Sequence, residues 1–526
     1  MKRTIAIAIG LIMLATLFAG CGSKDNGKNI LKIGLGGDPA ALDPRKIEES
    51  VGHFVANQIY EGLVTYNDKC EAVPACAEKW EVSADGLVYT FHLRQGLKWS
   101  NGDPLTAKDF EYGIKSALAP AFASPYASIL YFVKNAENYN TEKTKNADDI
   151  GVKAINDTTL QITLEAPCPY FVSVTAYPTY YPVNQKSDFS KVDKIICNGP
   201  FRITEWTRKS DIDLVKNDQY YDKDTVKLDG MNLALTDDNN TLMQMFKTGQ
   251  ISFMEKAPVA EIDKLIKDGL CKPSPQFSIY YYDFNNKKKP FDDVRVRKAF
   301  NLGINRQLLI DKVTKGAQQP ALAWVPYGAP DAAPGSDYRK VGGNFYKDND
   351  IEAAKKLLAE AGYPGGKGFP EVTLKYNTND AHKAIAEAIQ EMWKSNLGVT
   401  VKLQNEEWKV FLDTRKQGDY DIARDGWNAD YPDAYVFACI FTANNDQNNA
   451  KYLNKNYDSL INSSRVEADP TKRFQLMHEA EKQLMEDMPI CPIYFYSGTP
   501  VYSPKLKGVI ENALNNFYFK TAYMEK

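Results

Sequence analysis

Histidine is scarce in this chain of 526 residues: there are four, at positions 53, 92, 382 and 478, scattered along its length. No Cys-x-x-Cys occurs, so neither residue type supplies the spacing of a zinc cluster. A surplus of either charge is missing as well. Lys and Arg total 64 against 67 Asp and Glu, a net charge of −3, and without a basic excess the chain is not expected to bind nucleic acid. Only one long apolar run exists, near the N-terminus, which excludes a polytopic membrane protein. Glycine (33) and proline (27) are too few for a collagen or a disordered low-complexity chain, and the length is far beyond a small disulfide scaffold.

The familiar catalytic signatures are lacking too. His478-Glu479 is followed at position 482 by Lys, where a zinc peptidase needs its second His. There is no Gly-x-Ser-x-Gly elbow. Gly34-x-Gly36 follows a predicted strand, yet Pro39 occupies the third glycine position of a dinucleotide fingerprint, and Gly365-Gly366-Lys367 lacks the flanking residues of a phosphate loop. A two-acid glycosidase survives this filter, because its carboxylates can stand far apart in the chain, as Asp292-Asp293 and Glu406-Glu407 do. No cofactor is expected.

What the chain has is ordinary globular material, 44% hydrophobic and 25% charged, enough for two to four domains. It also has 31 Tyr, 24 Phe and 7 Trp, and so much Tyr points to surfaces that bind through mixed apolar and polar contact. Lys2 and Arg3 precede an apolar run from Ile5 to Ala19, about 22 Å as a helix and short of the ~30 Å needed to span a bilayer core. This is the pattern of a secretory signal, residues 1–20. Phe18-Ala19-Gly20-Cys21 resembles a bacterial lipobox, with Phe18 replacing the usual Leu, so Cys21 is expected to carry a lipid. A polar tether to residue 29 follows. Seven cysteines remain, an odd number that cannot all pair, with Cys70 and Cys76 the candidate bridge.

Strands and helices intersperse. Ile30 to Leu35 reads as a strand, and Leu87, Tyr89, Phe91 and Leu93 alternate with polar neighbours, which puts His92 on the polar face as a structural residue. Leu160, Ile162 and Leu164 alternate likewise. Ile351 to Tyr363 reads as a helix capped by Asp348 or Asp350, and Asp469-Pro470 opens another that Pro489 stops. Asn285–Lys289 and Ala443–Asn456 read as solvated loops. The fold class is α/β.

From Asn405 to Ala434 the chain reads NEEWKVFLDTRKQGDYDIARDGWNADYPDA, a predicted helix, loop, strand and loop. Taken singly, Trp408 and Trp427 are core, Arg415 and Arg424 are surface charges and Asp430 caps a turn. Taken together, they set an anion, two cations and large aromatic faces close in sequence. This segment resembles the oligopeptide-binding proteins of bacterial ATP-driven peptide importers. The resemblance extends to Leu42-Asp43-Pro44-Arg45-Lys46-Ile47-Glu48, Tyr60-Glu61-Gly62-Leu63, the run Tyr89 to Asp109, Asn198-Gly199-Pro200-Phe201 with Glu205-Trp206, and Pro290-Phe291-Asp292-Asp293-Val294-Arg295-Val296-Arg297.

That resemblance implies a two-lobed, periplasmic-binding-protein (Venus-flytrap) fold with an inserted domain. Lobe I would comprise 30–60, 186–277 and 498–526, the inserted domain 61–185, and the other lobe 278–497. It implies that Asp430 pairs with a peptide's α-ammonium group and that Arg415, Arg424 and His382 receive its carboxylate. Glu48, Tyr126, Tyr281, Asp283, Trp408, Gly426, Trp427 and Asn428 would line the cleft. The expected partners are peptides of about two to five residues, the permease subunits of an ABC importer, and the outer face of the cell membrane through Cys21, with the receptor a monomer. The family's cleft-side disulfide would join the positions of Ser278 and Asn428, neither of which is Cys, and its cleft Tyr-Asn-Asn is Met254-Glu255-Lys256 here. A cleft Lys of the family falls at Thr314, beside Lys315. A same-fold receptor for a murein peptide, nickel, haem or a sugar, and a lipid-anchored hydrolase, are the alternative readings.

Overall fold

The computed structural model describes residues 28–526 apart from 48, 237, 334 and 446, so the signal segment, Cys21 and Glu48 lie outside the described residues. The predicted first strand forms at Ile30–Leu35 and runs parallel to both its neighbours, Gly230–Leu235 and Phe253–Met254. Asp211–Lys216 and Phe201–Thr207 extend the sheet antiparallel on one side, and Val501–Tyr502 closes the other edge. Leu31, Ile33 and Leu35 are buried among Phe54, Ile59, Phe201, Leu233 and Phe253, so this lobe's core is assembled from segments up to two hundred residues apart and from the C-terminal Phe517 and Phe519.

A four-stranded antiparallel sheet, in the order Ala77–Val82, Val88–Leu93, Thr159–Thr163, Val152–Asn156, follows from the alternation read above. Tyr89, Phe91 and Leu93 face inward against Phe110 and Ile114 of the helix Ala107–Leu118. His92 looks outward, 3.3 Å from Glu81 on the neighbouring strand, consistent with a structural role.

The second six-stranded sheet has the order Gln319–Pro320, Ile490–Gly498, Ser274–Phe284, Ile422–Asn428, Val372–Asn377, Val401–Glu406. The helix Asp380–Leu397 covers one side because Ile385, Ile389, Trp393 and Leu397 recur every fourth residue and all are buried. Asn379 caps its first turn through bonds from the Ala381 and His382 N–H groups, and Gly398 ends it at φ +70°, where a Cβ is disfavoured. The two helices read from the sequence appear at Ile351–Glu360, capped by Asp350, and Pro470–Asp487, capped by Asp469. The second loop tract ends early: Asn454 caps a helix at Lys455–Val466.

The chain passes between the two large sheets by neighbouring segments. Lys256, just beyond Phe253–Met254, bridges Thr499, just beyond Ile490–Gly498. The four-stranded unit touches the second large sheet's lobe through an aromatic stack, with Tyr170 lying flat on Tyr431 (5.1 Å between centroids, 11°) and the Arg473 guanidinium 4.7 Å from the Tyr170 ring centroid. Cys70 and Cys76, the candidate bridge, are free and buried, and the other five described cysteines are free as well. Burial keeps them protonated, pushing Cys70 up to about 11 and Cys168, Cys197, Cys439 and Cys491 up to about 12.

Candidate functional site

The strand Ile422–Asn428 has a ladder on one side only for most of its length. Towards Ser274–Phe284 it pairs throughout, from Ile422↔Phe284 to Asn428↔Ser278. Towards the parallel strand Val372–Asn377 it pairs only at Ile422 and Ala423. Beyond Ala423 its second edge therefore carries no strand among the described residues. Ala429 donates its N–H to the Phe277 carbonyl at 2.8 Å, and in an antiparallel ladder bonded positions alternate. Ala423, Asp425 and Trp427 thus bond inward, while Arg424, Gly426 and Asn428 turn towards the second edge, where the Gly426 N–H donates to Asp425 Oδ1 at 2.7 Å and its carbonyl is the group it offers. Ser278 and Asn428, the positions of the absent disulfide, are direct register partners.

Alternation also sorts the side chains onto two faces. On one face the Arg424 guanidinium lies 4.9 Å over the Tyr280 ring and donates to the Tyr496 hydroxyl at 3.1 Å. The Tyr280 hydroxyl lies 3.3 Å from His382 Nδ1, which brings His382 to the same place. Burial, then the charge of Arg424, push the His382 imidazole down to about 3, so it is neutral at physiological pH and serves as a hydrogen-bonding group rather than a cation. Gly426 makes room here: a Cβ would stand 3.2 Å from Arg424 Nη2 and 3.4 Å from the Tyr496 hydroxyl, so a larger residue would push the guanidinium aside by a few tenths of an ångström. Arg424 has no ion pair among the described residues.

The opposite face is a closed charge cluster. Arg415, on the helix Trp408–Gln417, pairs with Asp425, whose other oxygen accepts from Asn449 at 3.2 Å. Asp283 is fully buried beside them, and no hydrogen-bond donor reaches either of its oxygens. Burial and the neighbouring Asp425 push its carboxyl far above the usual range, so it keeps its proton. Tyr281 is buried in the same layer, edge-on to Trp324 at 4.9 Å. Arg415 and Arg424, grouped together by sequence, thus stand on opposite faces of one strand. Tyr281 and Asp283 back the strand, out of reach of solvent. Trp427 is half-buried and donates its indole N–H to the Val436 carbonyl at 3.0 Å. Trp408 is 48% exposed at its helix start, 6.4 Å from Phe411, and nothing joins it to the other residues.

Asp430 lies just past the strand, half-buried, with no cation among the described residues. The Tyr126 hydroxyl, from the unit with the four-stranded sheet, donates to its Oδ2 at 2.5 Å. Burial raises the Asp430 carboxyl to about 6 and the Tyr126 bond works against that rise. The arrangement is an open strand edge with an unneutralised acid at one end and an unneutralised guanidinium at the other. No group of His, Cys, Asp and Glu among the described residues is arranged to hold a metal ion. Sequence reasoning missed Asp425, which neutralises Arg415, and Tyr496, which holds Arg424. Asp425 lies within the segment singled out, and its adjacency to Arg424 in a strand was the available signal that it faces the other way.

The family profile described as bacterial extracellular solute-binding proteins, family 5 Middle, matches residues 71–449. The chain is 41% identical over 544 residues to the oligopeptide-binding protein OppA of Bacillus subtilis (strain 168), covering 99% of this chain and 98% of that protein. The solved structure of Listeria monocytogenes OppA bound to peptide matches with a TM-score of 0.81 at 31% identity, over 95% of this chain and all of that one. That of the Escherichia coli murein tripeptide binding protein MppA matches with a TM-score of 0.83 at 33% identity, over 95% and 99%.

Proposed function

Because the chain belongs to the bacterial extracellular solute-binding proteins of family 5, with the two-lobed fold of that family, we propose that it is a receptor that captures short peptides along the open edge of Ile422–Asn428 and delivers them to an ABC importer. The observation that carries this reading is the unpaired edge between Asp430 and Arg424. An extended peptide offers an N–H and a C=O at every residue whatever its sequence, so adding it as a strand gives affinity without reading side chains. Asp430 takes the α-ammonium group and Arg424 the carboxylate, whose two oxygens suit a planar guanidinium. His382 adds a neutral hydrogen bond at the carboxylate end. Arg415 serves differently: its charge is already taken by Asp425, and it holds the layer behind the strand. Tyr126, Trp427, Gly426 and Asn428 border the peptide, and Tyr281 and Asp283 support the strand from behind.

The Arg424 guanidinium lies beside residue 426, four residues before Asp430, so about 13 Å separates the two charges at strand spacing. That is the span of three or four peptide residues. The lobes proposed for this mechanism are 30–60 with 186–277 and 498–526, and 278–497, the unit 61–185 travelling with the first. Closing them buries the peptide, and a peptide shifts the balance towards the closed form. A lipid on Cys21 keeps the receptor at its membrane, and no chemical step is involved.

Native mass spectrometry of the secreted form, followed by sequencing of what denaturation releases, tests the reading. The expected result is a mixture of peptides of two to five residues, centred on three and four. Release of a single non-peptide solute would overturn it. A second expectation concerns pH. The empty site holds a proton on Asp430 below about pH 6, whereas an ammonium partner keeps the carboxylate ionised, so binding below pH 6 must expel that proton. Peptide affinity should be greatest near pH 7, about thirtyfold weaker at pH 4.5 with close to one proton released on binding there, and should decline again above about pH 8 as the peptide's α-ammonium loses its proton. Calorimetry in buffers of different ionisation enthalpy measures both, and an unchanged affinity across this range would contradict the anchor.

A further inference from the structure

Resting on the peptide reading above, we propose that Arg424 and Lys256 together form a dicationic pocket at the carboxylate end of the cleft, which selects peptides whose C-terminal residue is itself acidic, Asp or Glu. Lys256 comes from the other lobe. Its backbone bridges Thr499, the residue after Ile490–Gly498, and three residues back along that strand stands Tyr496, the hydroxyl that receives Arg424. The bridge therefore sets Lys256 beside the end of the cleft where Arg424 and His382 meet.

Neighbouring residues of an extended segment point to opposite sides, and Glu255 and Lys256 do so. The Glu255 carboxylate turns away to accept from Asn515 Nδ2 at 2.7 Å, and Asn515 in turn accepts from Gln276 at 2.6 Å. Lys256 is left exposed, with no hydrogen bond or ion pair among the described residues. The surrounding protein and Arg424 lower its ammonium while the neighbouring Glu255 carboxylate raises it, and the His382 imidazole is lowered by Arg424 and Lys256 alike, which is what one shared region demands. Arg415 adds nothing to this charge, because Asp425 neutralises it on the far face.

A peptide's terminal carboxylate brings one negative charge to two positive ones. One positive charge is left over at Lys256, offset only in part by the Glu255 carboxylate beside it. A side-chain carboxylate on the last residue neutralises it. A neutral side chain leaves it, and a basic one repels it.

The test compares Ala-Ala-Ala-Glu with Ala-Ala-Ala-Gln, which differ in charge and hardly in shape, by calorimetry on the secreted form and on its Lys256→Gln variant. The Glu peptide should bind the unaltered protein about tenfold more tightly than the Gln peptide, a ratio that 0.5 M salt reduces. In Lys256→Gln the ratio should fall within about twofold. Equal binding of the two peptides to the unaltered protein, or a preference that survives Lys256→Gln, would overturn the pocket while leaving the peptide receptor intact. Binding of neither peptide would overturn the receptor reading, and this inference with it.

Discussion

Replacing Asp430 by Asn is expected to weaken binding of a free tripeptide or tetrapeptide by about two to three orders of magnitude and to leave the fold intact. The ammonium of a bound peptide is enclosed, and an enclosed charge stripped of its partner costs about 3–5 kcal/mol, the effect just stated in affinity. Nothing in the protein offers a substitute, since the one group that reaches Asp430 among the described residues is the Tyr126 hydroxyl, a donor here. Stability should move the other way. Folding raises the Asp430 carboxyl to about 6 from an ordinary value near 4, so the ionised acid burdens the empty protein at neutral pH and the burden lifts as pH falls from 6 towards 4. Asn removes it, so the empty variant should melt no lower than the parent at pH 7. Calorimetry with Ala-Ala-Ala and N-acetyl-Ala-Ala-Ala separates the cause. Acetylation should cost the parent nearly as much as the mutation does, and cost the variant little. A variant that still distinguishes the two peptides by a large factor would show that the ammonium is read elsewhere.

Arg415→Ala should produce the largest loss of stability of any substitution around the site, about 3–5 kcal/mol. The guanidinium is the cation of a buried cluster with two acids, Asp425 paired with it and Asp283 enclosed with no hydrogen-bond donor at either oxygen. Its removal leaves the Asp425 carboxylate without its cation, beside the protonated Asp283, in a dry layer that includes Tyr281 and Tyr420. The unfolding transition that includes this lobe should fall by about 10 °C at pH 7. It should recover in part at acid pH, because a proton neutralises the unpaired Asp425, and again in Arg415→Ala with Asp425→Ala. Arg424→Ala, nine residues along and on the other face, should do the reverse: peptide binding falls about a hundredfold and melting hardly moves. Thermal melts and titrations on the three variants decide the matter. If Arg415→Ala keeps its melting temperature and loses peptide, then Asp425 gives up the guanidinium on binding and Arg415 is an anchor after all.

These two arginines mark how far the sequence could be read. Tyr89, Phe91 and Leu93 declare their strand by alternation, and Asp469-Pro470 and Pro489 declare the limits of their helix, because each signal is local. The pairing of Ile30–Leu35 with strands two hundred residues later carries no local mark, since parallel neighbours are joined only through the rest of the chain. The site divides in the same manner. Asp430, Arg424 and Gly426 stood out because they fall in one stretch and resemble a known pattern. Which face Arg415 meets depends on how the helix Trp408–Gln417 packs behind the sheet, and no spacing between residues 415 and 425 reveals that. Lys256 was visible only as a departure from the family's Tyr-Asn-Asn. Its place beside Arg424 comes from a single bridge to Thr499, formed where two distant segments cross.

The bond from Tyr126 to Asp430 has a cost for a transport cycle. It reaches Asp430 from the unit of the four-stranded sheet, a group of the chain itself, so closing satisfies the acid whether or not a peptide is there. An ATP-driven importer that recognises the closed shape would then meet decoys, and each would spend nucleotide on moving nothing. The raised affinity of Asp430 for protons sets a counterweight. In acid surroundings the carboxyl holds its own hydrogen and loses its charge, so the hydroxyl bond and the peptide anchor weaken together. The idle traffic and the useful traffic through such a pump would therefore be throttled by the same proton.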